Sequence, residues 1–116
     1  IYLKGFEICV KESQPHSLMT SYNLINGEHS CNSKDILTYV LRDEWGFEGF
    51  VMTDWTSSDT CDIVNAMAAG NGWITPGGMD DTQTMQLVEG IQNGRIDRKR
   101  LEKSVYRMMK VILKFY

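Results

Sequence analysis

Apolar side chains recur at the spacing of one helix face over residues 2–12 (Leu3, Phe6, Ile8, Cys9, Val10), which predicts a helix that Pro15 ends. The run SLMTSYN, residues 17–23, is short, apolar and β-prone and predicts a buried strand, followed by a polar loop that turns at Asn26-Gly27. Asn32 or Ser33 can cap the next helix, KDILTYVLRDEW. Asp35 lies in its first turn, where the helix dipole favours a negative charge, and Gly46 takes the stop position. GFVMTDW predicts a second strand. SSDTCDIVNAMAAG predicts a helix that opens on Ser and Asp, sets Ile63, Val64 and Met67 on one face and stops at Gly70. NGWITPGG reads as a third short strand running into a Pro-Gly loop. Two helices follow, one between Asp80 or Asp81 and Gly94, the other opened by Asp97 with Leu101, Val105, Met108, Met109 and Ile112 on one stripe. The methionines of that stripe read as core packing.

Strand and helix alternate as α-β-α-β-α-β-α-α. The fold class this predicts is α/β, three parallel β-α units with right-handed crossovers, ending in two helices. Three parallel strands leave an edge open, and a parallel sheet needs helices over both faces or closure into a barrel. The chain is therefore either a small doubly wound sheet or part of a larger α/β barrel cut between units.

Composition narrows this only a little. A length of 116 residues suits one domain, and the net charge of −3, with basic residues dispersed apart from RIDRKRLEK at residues 95–103, gives no electrostatic footprint for nucleic acid or an anionic membrane. That basic run reads as the solvated face of a helix. No stretch has the roughly 18 apolar residues a membrane span needs. Cys9, Cys31 and Cys61 are widely spaced with no CxxC pair, which argues against a disulfide framework and for a reducing compartment, hence the cytoplasm. A missing N-terminal region could still have held a signal peptide, so location stays open. His29 and Cys31 lack a second ligand pair, and neither a metal nor another cofactor is expected.

Asp54 poses the functional question. It follows the apolar Phe50, Val51 and Met52, and a carboxylate at the end of a buried strand is costly unless something there uses it. It could cap the helix that follows, or it could be a functional group at the mouth of a sheet.

The run from Met19 to Trp55 resembles the hallmark segment of glycoside hydrolase family 3, with Ser-Tyr-Asn, Asn-Gly, Leu-Arg, Gly-Phe, Gly and Thr-Asp-Trp in order and spacing. The flanking YLKGFEICVKE and AMAAGNGWITPGG extend the resemblance over nearly the whole chain. It implies a β-glucosidase-like retaining glycosidase on a (β/α)8 barrel, of which this chain supplies the last three strands and their helices. Chemistry in such barrels sits at the C-terminal strand ends. By resemblance Asp54 is the nucleophile that forms a covalent glycosyl-enzyme intermediate, Trp55 is an aromatic wall for a sugar, and Tyr22 and Met19 line the pocket, with the Tyr22 phenol on the nucleophile. Packing remains the alternative for Trp55 and Met19, and capping for Asp54.

Two departures qualify the resemblance. Gly72 stands where the family usually has an Asp, and Thr75 where Met is common. The Lys-His pair, Arg and Asp with which family members hold the nonreducing sugar belong to earlier strands and are not in this chain. A retaining mechanism needs a second carboxylate roughly 5 to 5.5 Å from the first, and Glu28, Asp59 and Asp80 are available without being placed there. The expected partners are therefore a β-glucoside, the remainder of the enzyme and, through exposed edges, a second copy of the chain. Taken alone, the chain is expected to be inactive. A noncatalytic carbohydrate-binding or assembly module on the same scaffold is the competing reading.

Overall fold

A computed structural model describes residues 1–78 and 80–116. The elements are α1 (Lys4–Ser13), β1 (Ser17–Met19), β2 (Leu24–Ile25), β3 (Glu28–His29), α2 (Asp35–Glu44), β4 (Phe50–Met52), α3 (Ile63–Ala69), α4 (Thr82–Gln92) and α5 (Arg98–Lys114), with a 3-10 turn at Ser57–Asp59.

β1 and β4 pair in parallel, Ser17, Leu18 and Met19 lying beside Phe50, Val51 and Met52, with α2 on the connection between them. Alternation along the strands sends Leu18 and Val51 to one face. There they join Val10, Leu37, Leu41, Trp45 and Phe47 in the main core. A second cluster gathers Ile63, Val64 and Ile96 under α3, α4 and the start of α5. Each fully buried aliphatic side chain stabilises the fold by roughly 1.5–3 kcal/mol, so the helices are held to this one face of the sheet.

The third parallel β-α unit is not formed as expected. NGWITPGG joins β4 through one bridge, Met52 to Trp73. The Gly72 N–H donates to the Val51 carbonyl (2.7 Å) and the Thr53 N–H to the Trp73 carbonyl (3.0 Å). Gly72 offers no side chain to pack and Pro76 no N–H. Among the described residues no further strand pairs with the segment's far side. SLMTSYN likewise pairs only over Ser17–Met19. The loop beyond it carries a hairpin of β2 and β3. Asn26 and Gly27 turn it with positive φ (52° and 84°), the geometry a two-residue hairpin loop requires.

The helix signals fare unevenly. The Asp97 side chain caps α5 by accepting the Lys99 N–H (2.9 Å). α3 starts later than expected, at Asp62, whose carboxylate accepts the Val64 and Asn65 N–H groups (2.9 and 3.0 Å). α2 begins without a side-chain cap, so neither Asn32 nor Ser33 serves as one. It is wound wide, the Trp45 N–H reaching the Val40 carbonyl five residues back (2.9 Å). On α5 the expected core stripe is only half covered. Leu101 packs into the second cluster, whereas Val105, Met109 and Ile112 stay exposed and Ser104 is the residue turned inward. No helix among the described residues is long and apolar enough to cross a membrane.

Candidate functional site

Asp54 stands two residues past the end of β4. Met52 is flanked by Met19 and Trp73 in register, and partners in a parallel pairing point to the same face. Carried on by two residues, the alternation brings Asp54 to that face too. It is the face away from the helices, with Met19 55% and Trp73 49% exposed.

Asp54 is half-buried. Its Oδ1 accepts the Trp55 N–H (2.6 Å), and among the described residues no donor meets Oδ2. The chain then bends at Thr56, whose φ of 58° lies in the left-handed region that a β-branched residue rarely adopts. Three hydrogen bonds hold the bend. The Thr56 N–H donates to the Thr75 carbonyl (3.1 Å), the Ser57 hydroxyl to the Asp54 carbonyl (3.0 Å) and the Tyr22 hydroxyl to the Trp55 carbonyl. Backbone strain of this kind costs on the order of 1–3 kcal/mol and persists where the surroundings over-determine it. Here it falls two residues beyond the acidic group.

Of the residues singled out in the sequence, Tyr22, Asp54 and Trp55 are thus brought together, and Met19 stands beside Met52 on the neighbouring strand. Tyr22 and Trp55 are both more than half exposed. The Tyr22 phenol, expected on the Asp54 carboxylate, instead bonds the backbone of the next residue. Among the described residues none of the other candidate carboxylates hydrogen-bonds to Asp54. Asp80 accepts the Thr82 N–H (2.9 Å) ahead of α4. That bond, with one from the Thr82 hydroxyl, holds the Asp80 carboxyl below its ordinary range, which makes it a poor proton donor. Asp59 lies in the 3-10 turn and Glu28 on the hairpin. No group of three or more His, Cys, Asp and Glu among the described residues is placed to hold a metal ion.

Three supporting residues had not been singled out. Thr53 is fully buried and its hydroxyl accepts the Thr75 N–H (2.9 Å). Asn71, also fully buried, donates from Nδ2 to the Cys31 and Ala66 carbonyls (both 2.7 Å), tying the hairpin to α3. Trp73 lies on the open face. Only Trp73 was signalled in the sequence, by strand alternation; buried Thr and Asn reveal their partners only in three dimensions. At Gly72, the departure from the expected Asp, a Cβ would stand 3.4 Å from the Ser104 Cβ, close to ordinary van der Waals contact, and the structure gives no reason for glycine there.

Residues 1–111 match the family model described as the glycosyl hydrolase family 3 N terminal domain. The chain belongs to glycosyl hydrolase family 3. It is 45% identical over 103 residues to β-glucosidase A of Butyrivibrio fibrisolvens, covering 89% of this chain and 12% of that protein. With an exo-α-(1→6)-L-arabinopyranosidase of Bifidobacterium breve it shares 42% identity over 115 residues, 98% of this chain and 14% of the relative. Among solved family 3 structures, the β-glucosidase of Bifidobacterium adolescentis superposes with a TM-score of 0.86 at 39% identity, over 97% of this chain and 16% of that one. The β-glucosidase 3B of Thermotoga neapolitana, solved with glucose, gives 0.84 at 38% identity, over 96% and 16%. The chain therefore spans between 12% and 16% of the length of these family 3 proteins.

Proposed function

We propose that this chain carries the nucleophile of a retaining β-glycosidase that hydrolyses terminal β-linked glucosyl residues. Asp54 attacks the anomeric carbon, the leaving-group oxygen departs with a proton from an acid outside this stretch, and water then releases the sugar from the covalent intermediate. Trp55 offers an apolar indole face to the sugar, Met19 lines the floor and Tyr22 fixes the Trp55 backbone. The stretch forms the last three strand-helix segments of a (β/α)8 barrel whose lumen is the open face of the sheet. The observation that carries this reading is the place of Asp54, half-buried at the C-terminal end of a parallel strand, on the face no helix covers and with Oδ2 unengaged.

Its test is trapping by an activated 2-fluoro-glucoside on the whole protein. The expected result is a mass increase of one fluorosugar on the peptide containing Asp54, absent in Asp54→Asn. No adduct, or an adduct on another residue, overturns it. The arabinopyranosidase relative, which matches more of this chain than β-glucosidase A does, supports a second reading in which the sugar is an arabinopyranoside. Parallel rates on nitrophenyl β-glucoside and α-L-arabinopyranoside decide between them.

A further inference from the structure

Away from the open face, α2 and α5 enclose a cleft of about 500 Å³. One wall is formed by the end of the basic run and the two turns of α5 that follow it. Arg100, Lys103, Arg107 and Lys110 repeat along a single face of α5 and line the cleft, Arg107 half-buried and the other three exposed to solvent. Arg42 approaches from α2. The two carboxylates lining the cleft are Asp43 and Glu48, and Glu48 is already paired with Lys110 (3.2 Å). The lining carries a net charge of +3, in a chain whose net charge is −3.

Arg42 makes this more than a charged surface. One guanidinium nitrogen donates to the Phe47 and Gly49 carbonyls (3.1 and 2.9 Å), the group stacks on the Phe47 ring, and its Nε is buried without an acceptor. Among the described residues no carboxylate pairs with Arg42 or Arg107. Burial, reinforced by the charge of Arg107, lowers Arg42 to about 10, and burial lowers Arg107 as well. Two partly buried guanidinium groups thus line one cleft, neither of them paired with a carboxylate among the described residues. A buried charge without a counter-charge is costly, and guanidinium matches the geometry of a phosphoryl group better than any other side chain.

We infer that the cleft between α2 and α5 binds a phosphate group, free or as the phosphate of a small ester, between Arg42 and Arg107 with Lys103 and Arg100 at its rim. Its volume suits a small molecule, and the negative charge of the rest of the chain disfavours an extended polyanion. This site stands apart from Asp54, so the inference is independent of the glycosidase reading.

The test is calorimetric titration of the whole protein with inorganic phosphate and, separately, with glucose 6-phosphate, at fixed ionic strength. Saturable binding of either is expected, with the tighter ligand identifying free phosphate or ester as the source. The double change Lys103→Gln and Arg107→Gln should weaken it at least tenfold. Lys103→Gln alone, at an exposed position, should weaken it severalfold and guards against a folding defect in the double variant. Unsaturable heats for both ligands, equal displacement by sodium chloride, undiminished binding in the variants, or capture of an acidic peptide where phosphate fails would each overturn the inference.

Discussion

Asp54 has two inequivalent oxygens, one held by the Trp55 N–H and one that meets no donor among the described residues. A nucleophile needs this division, because a carboxylate fixed at one oxygen presents the other without reorienting. In the whole protein Asp54→Asn should therefore lower kcat on an aryl β-glucoside by a factor on the order of 10⁴ with little change in thermal midpoint, read by steady-state kinetics and calorimetry side by side. Thr53 acts one residue earlier and in the opposite sense. Thr53→Val deprives the buried Thr75 N–H of its acceptor, which should cost about 1–3 kcal/mol in denaturant titration and loosen the Thr56 bend. Asp54 and Trp55 stand out in the sequence because a motif carries them, and the structure sets them beside Tyr22. Thr53 does not, since nothing in a string of letters says which neighbour a buried hydroxyl will meet 22 residues away.

At the level of elements, the start of α5 was readable from its polar cap, Asp97, while the other helix starts were read less well. The start of α3 was misread at Ser57 because two candidate caps stand in one run, and Asp62 wins by bonding both Val64 and Asn65 while also pairing with Arg95 (2.7 Å). Burial pushes the Asp62 carboxyl up, but the bonds from Asn65, Arg95 and Val64 outweigh it and hold the group below its ordinary value of 3.8. A lowered folded-state value means the stabilisation is present above 3.8 and is lost as the pH falls through the folded value. Asp62→Ala should thus cost about 1 kcal/mol near neutrality, most of it the cap, and the gap between the two proteins should close below pH 3.8. The third strand was overread for a different reason. Extended pairing is decided by neighbours on both sides, and a one-dimensional pattern cannot report that, among the described residues, only the Met52 bridge joins this segment to a strand.

On the scale of the whole chain, the accessible surface is 7563 Å² for 13.3 kDa, where compact monomers of this mass expose about 6,450 Å². Large apolar side chains are exposed on the open sheet face and the uncovered flank of α5, among them Met19, Trp73, Val105 and Met109. Such a patch favours association. The 116-residue stretch by itself should scatter light as more than 13.3 kDa at micromolar concentration, and a monomeric mass there would count against the uncovered face as a contact surface. It should also release no nitrophenol from aryl β-glucosides, since no second carboxylate among the described residues meets Asp54.

The open face carries its own optical gauge. Of the three indoles, Trp45 is 8% exposed in the core while Trp55 and Trp73 are 62% and 49% exposed at the uncovered surface. Two emitters in water and one in hydrocarbon make the fluorescence of the bare stretch red and readily quenched by iodide. Covering that face, whether by further protein, a second copy or a sugar, shifts the two outer emitters toward blue and leaves Trp45 as the internal standard.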